Sequence, residues 1–246
     1  MRPALGILAG VSFVHLGAQA SGREGLAALT QVLLMPALAA VLWTGTAPPR
    51  GALVRLSLAA LGLSWLGDTV PRFLAGTAGF LGMLGFFLLA QLTYALAFWP
   101  HRAGSLLARP VLVLPYLAAT AGIIVLCAPG AGALLPVVVL YAGAIITMAI
   151  LATGLSPRAG LGAALFVISD ALIALDAFGV LTLPGQGVWV MSTYLAAQLL
   201  LVLAVREAAA LSAAPTPRRP RSRAQAPDRS RPPRRGPRTG HRRRGR

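Results

Sequence analysis

Long apolar runs, each near the length of about 20 residues that a helix needs to cross a bilayer, recur along this chain with short breaks between them. Eight can be read: 4–20, 26–44, 51–67, 74–99, 106–127, 132–153, 159–178 and 187–207. The breaks SGREG, TAPPRG, DTVPR, PHRAGS, APGAG, GLSPRAG and LPGQG carry Gly, Pro or Arg. Each unit is one span plus a tight loop, so no soluble domain fits among them. The pattern predicts an all-α, polytopic integral membrane bundle of eight transmembrane helices over residues 1–208, with a separate tail over 209–246. Pro36, Pro115 and Pro136 fall inside runs and are expected points of kinking. The first run, from Arg2 to Ala18-Gln19-Ala20 ahead of Ser21, has the outline of a cleavable signal peptide. Gly6 and Gly10, four apart, suit helix packing instead, and the segment is expected to remain as the first span.

Orientation follows from the arginines, because cytoplasmic loops collect positive charge. With eight spans both ends share a side. Placing them in the cytoplasm puts Arg2, Arg50, Arg55, Arg102, Arg109, Arg158 and Arg206 inside, and leaves Arg23 and Arg72 outside, beside Glu24 and Asp68. The expectation is a multi-pass protein of the cell membrane with both termini cytoplasmic. Trp43, Trp65, Trp99 and Trp189 fall near span ends, where amphipathic rings belong. Tyr94, Tyr116, Tyr141 and Tyr194 lie well inside spans, and a phenol in hydrocarbon needs a partner, so they face other helices or a polar cavity.

Composition sharpens this picture. The 246 residues are 57% hydrophobic and 11% charged, with 22 Arg, no Lys, and only six acids. That excludes a soluble enzyme domain, a collagen or coiled-coil fibre, and a disulfide-stapled module, since Cys127 is the single cysteine. One Cys and three scattered His cannot supply a tetrahedral zinc set, so no metal and no cofactor is expected. Thirteen of the arginines crowd into residues 208–246 with Asp228 as the one acid there. Such a segment cannot offset its ordering entropy and is expected to be disordered, lying on anionic lipid headgroups. No aromatics interleave with the arginines, so no specific nucleic acid is expected as a partner.

Acids inside spans call for a reason, because each costs about 2.5–3.5 kcal/mol near the bilayer centre on insertion scales. Asp170 lies in the middle of the seventh run and Asp68 closes the third. Asp176 lies on a different face of the seventh helix and nearer its end. Ser57, Ser64 and Asp68 share one face, with Leu61 in the same stripe. Gln91 and Tyr94 share a face of the fourth span, as do Tyr194 and Gln198 on the eighth. Thr30 and Gln31 add polar groups to the second. Together these predict one polar chamber holding two carboxyls, with Tyr, Ser and Gln around them. Paired carboxyls in different environments do acid–base work. The reactions within their reach break an acid-labile glycosidic or enol-ether bond through an oxocarbenium-like state, and a chamber in the bilayer selects a lipid.

LSWLGDTV at 63–70, FLGMLGFFLLAQLTYALAF at 80–98, FVISDALIAL at 166–175 and TYLAAQLL at 193–200, with LTQVLLMPALA at 29–39, resemble the YhhN-type, or lysoplasmalogenase, family of eight-span membrane proteins. The resemblance covers most of 26–207 and leaves out the tail. It implies hydrolysis of the vinyl-ether bond of a lysophospholipid held in the bilayer, releasing a fatty aldehyde. It also implies Asp68 and Asp170 as the catalytic acids, with Tyr94, Tyr194 and Gln198 lining the site; Gln31, Ser64, Gln91 and Ser169 are expected as further substrate-binding residues. Asp170 is expected to be the more buried acid and to deliver the proton, with Asp68 guiding water. The chain departs from the family pattern at Gln31, where Lys is common, and at Gln91, where His is common; these imply a weaker hold on phosphate and a missing imidazole. Two other classes fit the residues: a proton-coupled transporter built from two four-helix repeats, each with an acid in its third helix, and a silent lipid-binding relative.

Overall fold

In a computed structural model, residues 2–213 are described. They form eight α-helices: α1 (Arg2–Ala20), α2 (Glu24–Thr44), α3 (Ala52–Thr69), α4 (Gly76–Phe98), α5 (Leu114–Ala131), α6 (Leu135–Ala152), α7 (Pro157–Ala177) and α8 (Gln186–Ala213). Short 3-10 turns follow α3, α4 and α5, and there is no strand among the described residues. Seven continuous helical stretches are long and apolar enough to cross a membrane; one of them, Pro110–Ala152, contains both α5 and α6. These two helices pack on each other across Gly132, whose φ of 50° is open to glycine without strain. The eight apolar runs thus map onto the eight helices. The chief boundary differences are at α5, which starts at Leu114 because 3-10 turns occupy the beginning of the run at 106, and at α8, which continues to Ala213. The disorder, headgroup contact and partners expected of the tail concern residues that, beyond 213, lie outside the described ones.

Local chemistry accounts for the helix ends. Pro115 and Pro136 sit in the first turns of α5 and α6, where a missing N–H costs nothing. They start helices rather than kink them; the interior prolines are Pro36 in α2 and Pro129 in α5. Ser156 caps α7 by accepting from the Ala159 N–H at 3.1 Å.

Buried and exposed positions are reversed relative to a water-soluble bundle. His15, Ser57, Ser64, Gln91, Ser169 and Gln198 are buried, while Phe13, Leu29, Leu96, Val125 and Leu140 are exposed. An apolar exterior around a partly polar interior is what a lipid solvent requires. The core is centred on α2, α3, α4, α7 and α8 through Leu34, Leu61, Tyr94, Phe98, Phe166 and Leu201. α7 and α8 run antiparallel and close, since a Cβ on Gly162 would meet the Ala197 carbonyl at 2.9 Å. The Arg158–Glu207 ion pair joins them at one end, and Ser169 donates to the Val190 carbonyl at 3.1 Å further along. α1 packs on α2 and α8, anchored by buried His15, whose Nδ1 lies 3.1 Å from the Ala27 carbonyl and 3.0 Å from the Thr30 hydroxyl. α5 is the loosest element, burying only Cys127 and Ala131.

The tryptophans divide in use. Arg50 lies over the Trp43 ring and Arg102 over that of Trp99, and Trp189 is exposed. Trp65 instead donates to the Val32 carbonyl at 3.0 Å, tying α3 to α2.

Candidate functional site

Both acids lie toward the end of the bundle where α1 turns into α2 and α3 into α4, and each sits in its own polar centre. Asp68, in the last turn of α3, is half-buried. Its Oδ1 accepts from Gln31 Nε2 at 3.2 Å and its Oδ2 from the Tyr194 hydroxyl at 3.1 Å. Ser64, one turn earlier on the same face, accepts from Gln198 Nε2 at 3.2 Å, and Gln198 Oε1 in turn accepts from the Tyr94 hydroxyl at 2.8 Å. Residues of α2, α3, α4 and α8 are thereby joined in one network. Arg72 follows Asp68 by one turn, in the 3-10 segment Val70–Phe73. It donates from Nε to the Asp68 backbone carbonyl at 3.2 Å, and from Nη2 to Gln31 Oε1.

Asp170 occupies the second centre, on α7, and is also half-buried. Burial therefore does not rank the two acids, against the expectation that Asp170 is the more enclosed. Its Oδ2 accepts from the Tyr141 hydroxyl of α6. Gln91 of α4 lies beside Tyr141 and is fully buried. Asp170 and Tyr141 border two cavities. One, of about 460 Å³, lies between α5, α6 and α7, with Tyr116, Ile123, Ala142, Ile145 and Ala171 among its walls; its size is that of a typical ligand pocket, and its lining is almost wholly apolar. The other, of about 50 Å³, is walled by Phe80, Met83, Phe87 and Ile173 and has room for water beside the carboxyl.

An aromatic cluster stands between the centres. The rings of Phe87, Phe166 and Tyr194 meet edge to face, with centroids 5.3–6.3 Å apart. Phe87 faces the small cavity on one side and Tyr194 on the other. Gly67 makes room for it, because a Cβ there would stand 2.8 Å from Phe87 Cδ2. The two acids remain within electrostatic range of each other across this partition.

The single chamber read from the sequence is thus two. Gln31, Ser64, Tyr94, Tyr194 and Gln198 gather at Asp68. Gln91 belongs to the Asp170 side, away from its helix neighbour Tyr94. Ser169 holds α7 to α8 and does not join either centre. Thr30 pairs with His15, and Asp176 accepts from Thr182 near the end of α7. Sequence reasoning did not single out Tyr141 or Arg72 for the site. The first carried a signal as a phenol within a span; the second stands four residues after Asp68, and was read only as a marker of orientation.

A model of the YhhN family matches residues 26–205. The chain belongs to the YhhN family. It is 36% identical over 181 residues to the human (Homo sapiens) lysoplasmalogenase TMEM86B, covering 72% of this chain and 74% of that one. No solved structure matches the chain. The match contains both acids, Tyr141 and Arg72, while α1 with His15 precedes the family region. As a YhhN-family chain with seven membrane-capable helical stretches, it is a multi-pass membrane protein.

Proposed function

We infer that this protein hydrolyses the vinyl-ether bond of a lysophospholipid from within the bilayer, with eight crossings and both termini in the cytoplasm. The observation that carries the reading is a carboxyl–phenol pair, Asp170 with Tyr141, at the edge of an apolar cavity of about 460 Å³, with a second carboxyl in electrostatic range. Similarity to a lysoplasmalogenase supports the same chemistry.

The alkenyl chain lies in the α5–α7 cavity, which brings its double bond to Asp170. The Asp170 carboxyl gives a proton to the vinyl carbon distal to oxygen, and the π electrons form that C–H bond. The resulting oxocarbenium ion is stabilised by the ether oxygen. Tyr141 holds the carboxylate left behind with a charge-assisted hydrogen bond. Water, directed by Asp68, adds to the carbon bonded to oxygen and passes its proton to the Asp68 carboxylate. The hemiacetal then collapses: its hydroxyl proton returns to the Asp170 carboxylate, its C–O bond to glycerol breaks, and the leaving oxygen takes the proton held by Asp68, giving a fatty aldehyde and a glycerophospho-alcohol. One water is consumed and no redox partner is needed. Tyr194 and Gln31 orient the Asp68 carboxylate, and Ser64, Gln198 and Tyr94 hold Tyr194's helix in register.

The test is aldehyde release by purified protein in micelles supplied with an alkenyl lysophospholipid or its acyl analogue. Aldehyde from the alkenyl lipid alone, lost in Asp68→Asn or Asp170→Asn, is the expected result. Full activity of both variants would sink the mechanism. Substrate accumulation that collapses with a pH gradient, without aldehyde, would establish transport instead.

A further inference from the structure

The arginines of this protein are put to visibly different uses. Arg50 and Arg102 lie over the Trp43 and Trp99 rings, with centroid distances of 3.6 and 4.9 Å, a common resting place for an interfacial cation. Arg158 is neutralised by Glu207. Arg72 does neither. Its side chain is exposed at the rim of the Asp68 centre, yet it is turned back toward the protein and fixed by two acceptors, the Asp68 backbone carbonyl and Gln31 Oε1. Both acceptors are neutral and orient the guanidinium, while the Asp68 carboxylate acts on it only at longer range. Arg72 makes no ion pair with the Asp68 carboxylate; Arg158–Glu207 is the one side-chain ion pair among the described residues.

Gln31 is the key to this geometry. Its amide nitrogen donates to the Asp68 carboxylate and its amide oxygen accepts from Arg72. It therefore sits as a spacer between acid and cation, and keeps them from collapsing onto each other. Pro71 ahead of Arg72 limits the backbone freedom of the turn that carries it. A planar guanidinium with two of its five N–H groups engaged keeps the others for a ligand, and its fork geometry matches a phosphate monoanion better than an ammonium would.

We propose that Arg72, set in place by Gln31, is a phosphate-binding residue that takes the phosphodiester of a lysophospholipid headgroup at the rim of the Asp68 centre. The assignment rests on the lysophospholipid reading above and adds its polar end. The hydrocarbon lies in the α5–α7 cavity, the reacting carbons lie at Asp170 along the aromatic cluster that leads toward Asp68, and the phosphate is held at Arg72. A cation placed one helical turn beyond the water-directing acid also fixes which way round the lipid enters. Gln31 is a positioning residue here, since it acts through Arg72 and Asp68.

The test is a binding titration on the full chain in nonionic micelles, with three probes: a saturated 1-alkyl lysophosphocholine that cannot be hydrolysed, the 1-alkylglycerol of the same chain, and inorganic phosphate. The wild-type protein is expected to prefer the phospholipid over the alkylglycerol by about 10-fold or more, the scale of one charge-assisted contact. Arg72→Gln removes that preference and leaves alkylglycerol affinity unchanged, which also reports that the variant is folded. Arg72→Lys keeps part of it, and Gln31→Leu reduces it with Arg72 intact. Equal affinity for the two lipids in the wild type, or an undiminished preference in Arg72→Gln, overturns the proposal. Inorganic phosphate binding as tightly as the phospholipid, and lost in Arg72→Gln, would make the ligand free phosphate and overturn the headgroup assignment. Aldehyde release from an alkenyl lysophospholipid is measured in parallel. Its absence, with an Arg72-dependent preference intact, refutes the hydrolase reading and not this one.

Discussion

Tyr141→Phe isolates the hydrogen bond that distinguishes the Asp170 centre. The substitution removes one oxygen from a ring that borders both cavities, so their shape is kept and only the donor to Asp170 Oδ2 is lost. In the proposed mechanism that donor matters most once Asp170 has given up its proton and carries charge. A hydrogen bond to a charged group contributes about 1.5–3 kcal/mol, so proton transfer should slow by about 10- to 150-fold. Removing the acid itself in Asp170→Asn should cost about 10²- to 10⁴-fold, the usual contribution of a general acid. Because Tyr141 acts through Asp170, the double variant should be no slower than Asp170→Asn alone, a coupling that independent residues do not show. The assay is aldehyde release at saturating alkenyl lysophospholipid, with the melting temperature in the same detergent as a check on folding. Unchanged turnover in Tyr141→Phe refutes the reasoning, and so does a double variant in which the two losses multiply.

Four further outcomes follow from the packing. Ala142→Phe fills part of the α5–α7 cavity and should lower kcat/KM for long alkenyl chains while sparing short ones, each excluded methylene costing about 0.8 kcal/mol; a competition assay across chain lengths reads this. Gly67→Val presses on Phe87, which a Cβ alone would meet at 2.8 Å, and should drive the ring toward the small cavity and cut turnover with little loss of melting temperature. Gly162→Ala places a methyl 2.9 Å from the Ala197 carbonyl, and overpacking there should destabilise the α7–α8 pair by about 1–3 kcal/mol, seen as a lower melting temperature. His15→Leu leaves the Thr30 and Gln19 side chains without their shared partner and should cost about 1–3 kcal/mol in the same melt, with kcat unchanged in the protein that remains folded.

How much of this was legible in the sequence depended on whether a feature is local. Hydrophobic length and breaks at Gly and Pro located all eight helices, because the cost of a polar break in lipid acts on each segment separately. The faces carrying Ser64 with Asp68, and Tyr194 with Gln198, follow from helical periodicity alone, and the structure joins them. Periodicity gives the face of a helix but not its neighbour, and here the reading stopped. Gln91 and Tyr94 are three residues apart, yet the first reaches the Tyr141 side and the second Gln198. Ser169 adjoins Asp170 in sequence but points to the α8 backbone. Pro115 and Pro136 were read as kinks because a run of apolar residues hides where a helix begins. Arg72 was read by its charge alone, and its value as a side chain depends on Gln31, distant in sequence and adjacent in space.

The placement of the two acids bears on how such a substrate would be held. Each acid lies on the third helix of its half of the bundle, and each is met by a residue of the helix before it: Gln31 for Asp68 and Tyr141 for Asp170. The last helix of the opposite half completes the arrangement, with Tyr194 of α8 on Asp68 and Gln91 of α4 beside Tyr141. Neither half makes its own centre alone, so the two carboxyls are held at a separation set by the whole bundle. Vinyl-ether hydrolysis makes use of such an arrangement, since proton and water must reach adjacent carbons of one bond from differently equipped groups. Phe87, Phe166 and Tyr194 stand between the centres in mutual edge-to-face contact. In the proposed reaction the lipid would enter from the side, and α5, which buries only Cys127 and Ala131, is the element that would yield to it at least cost in packing.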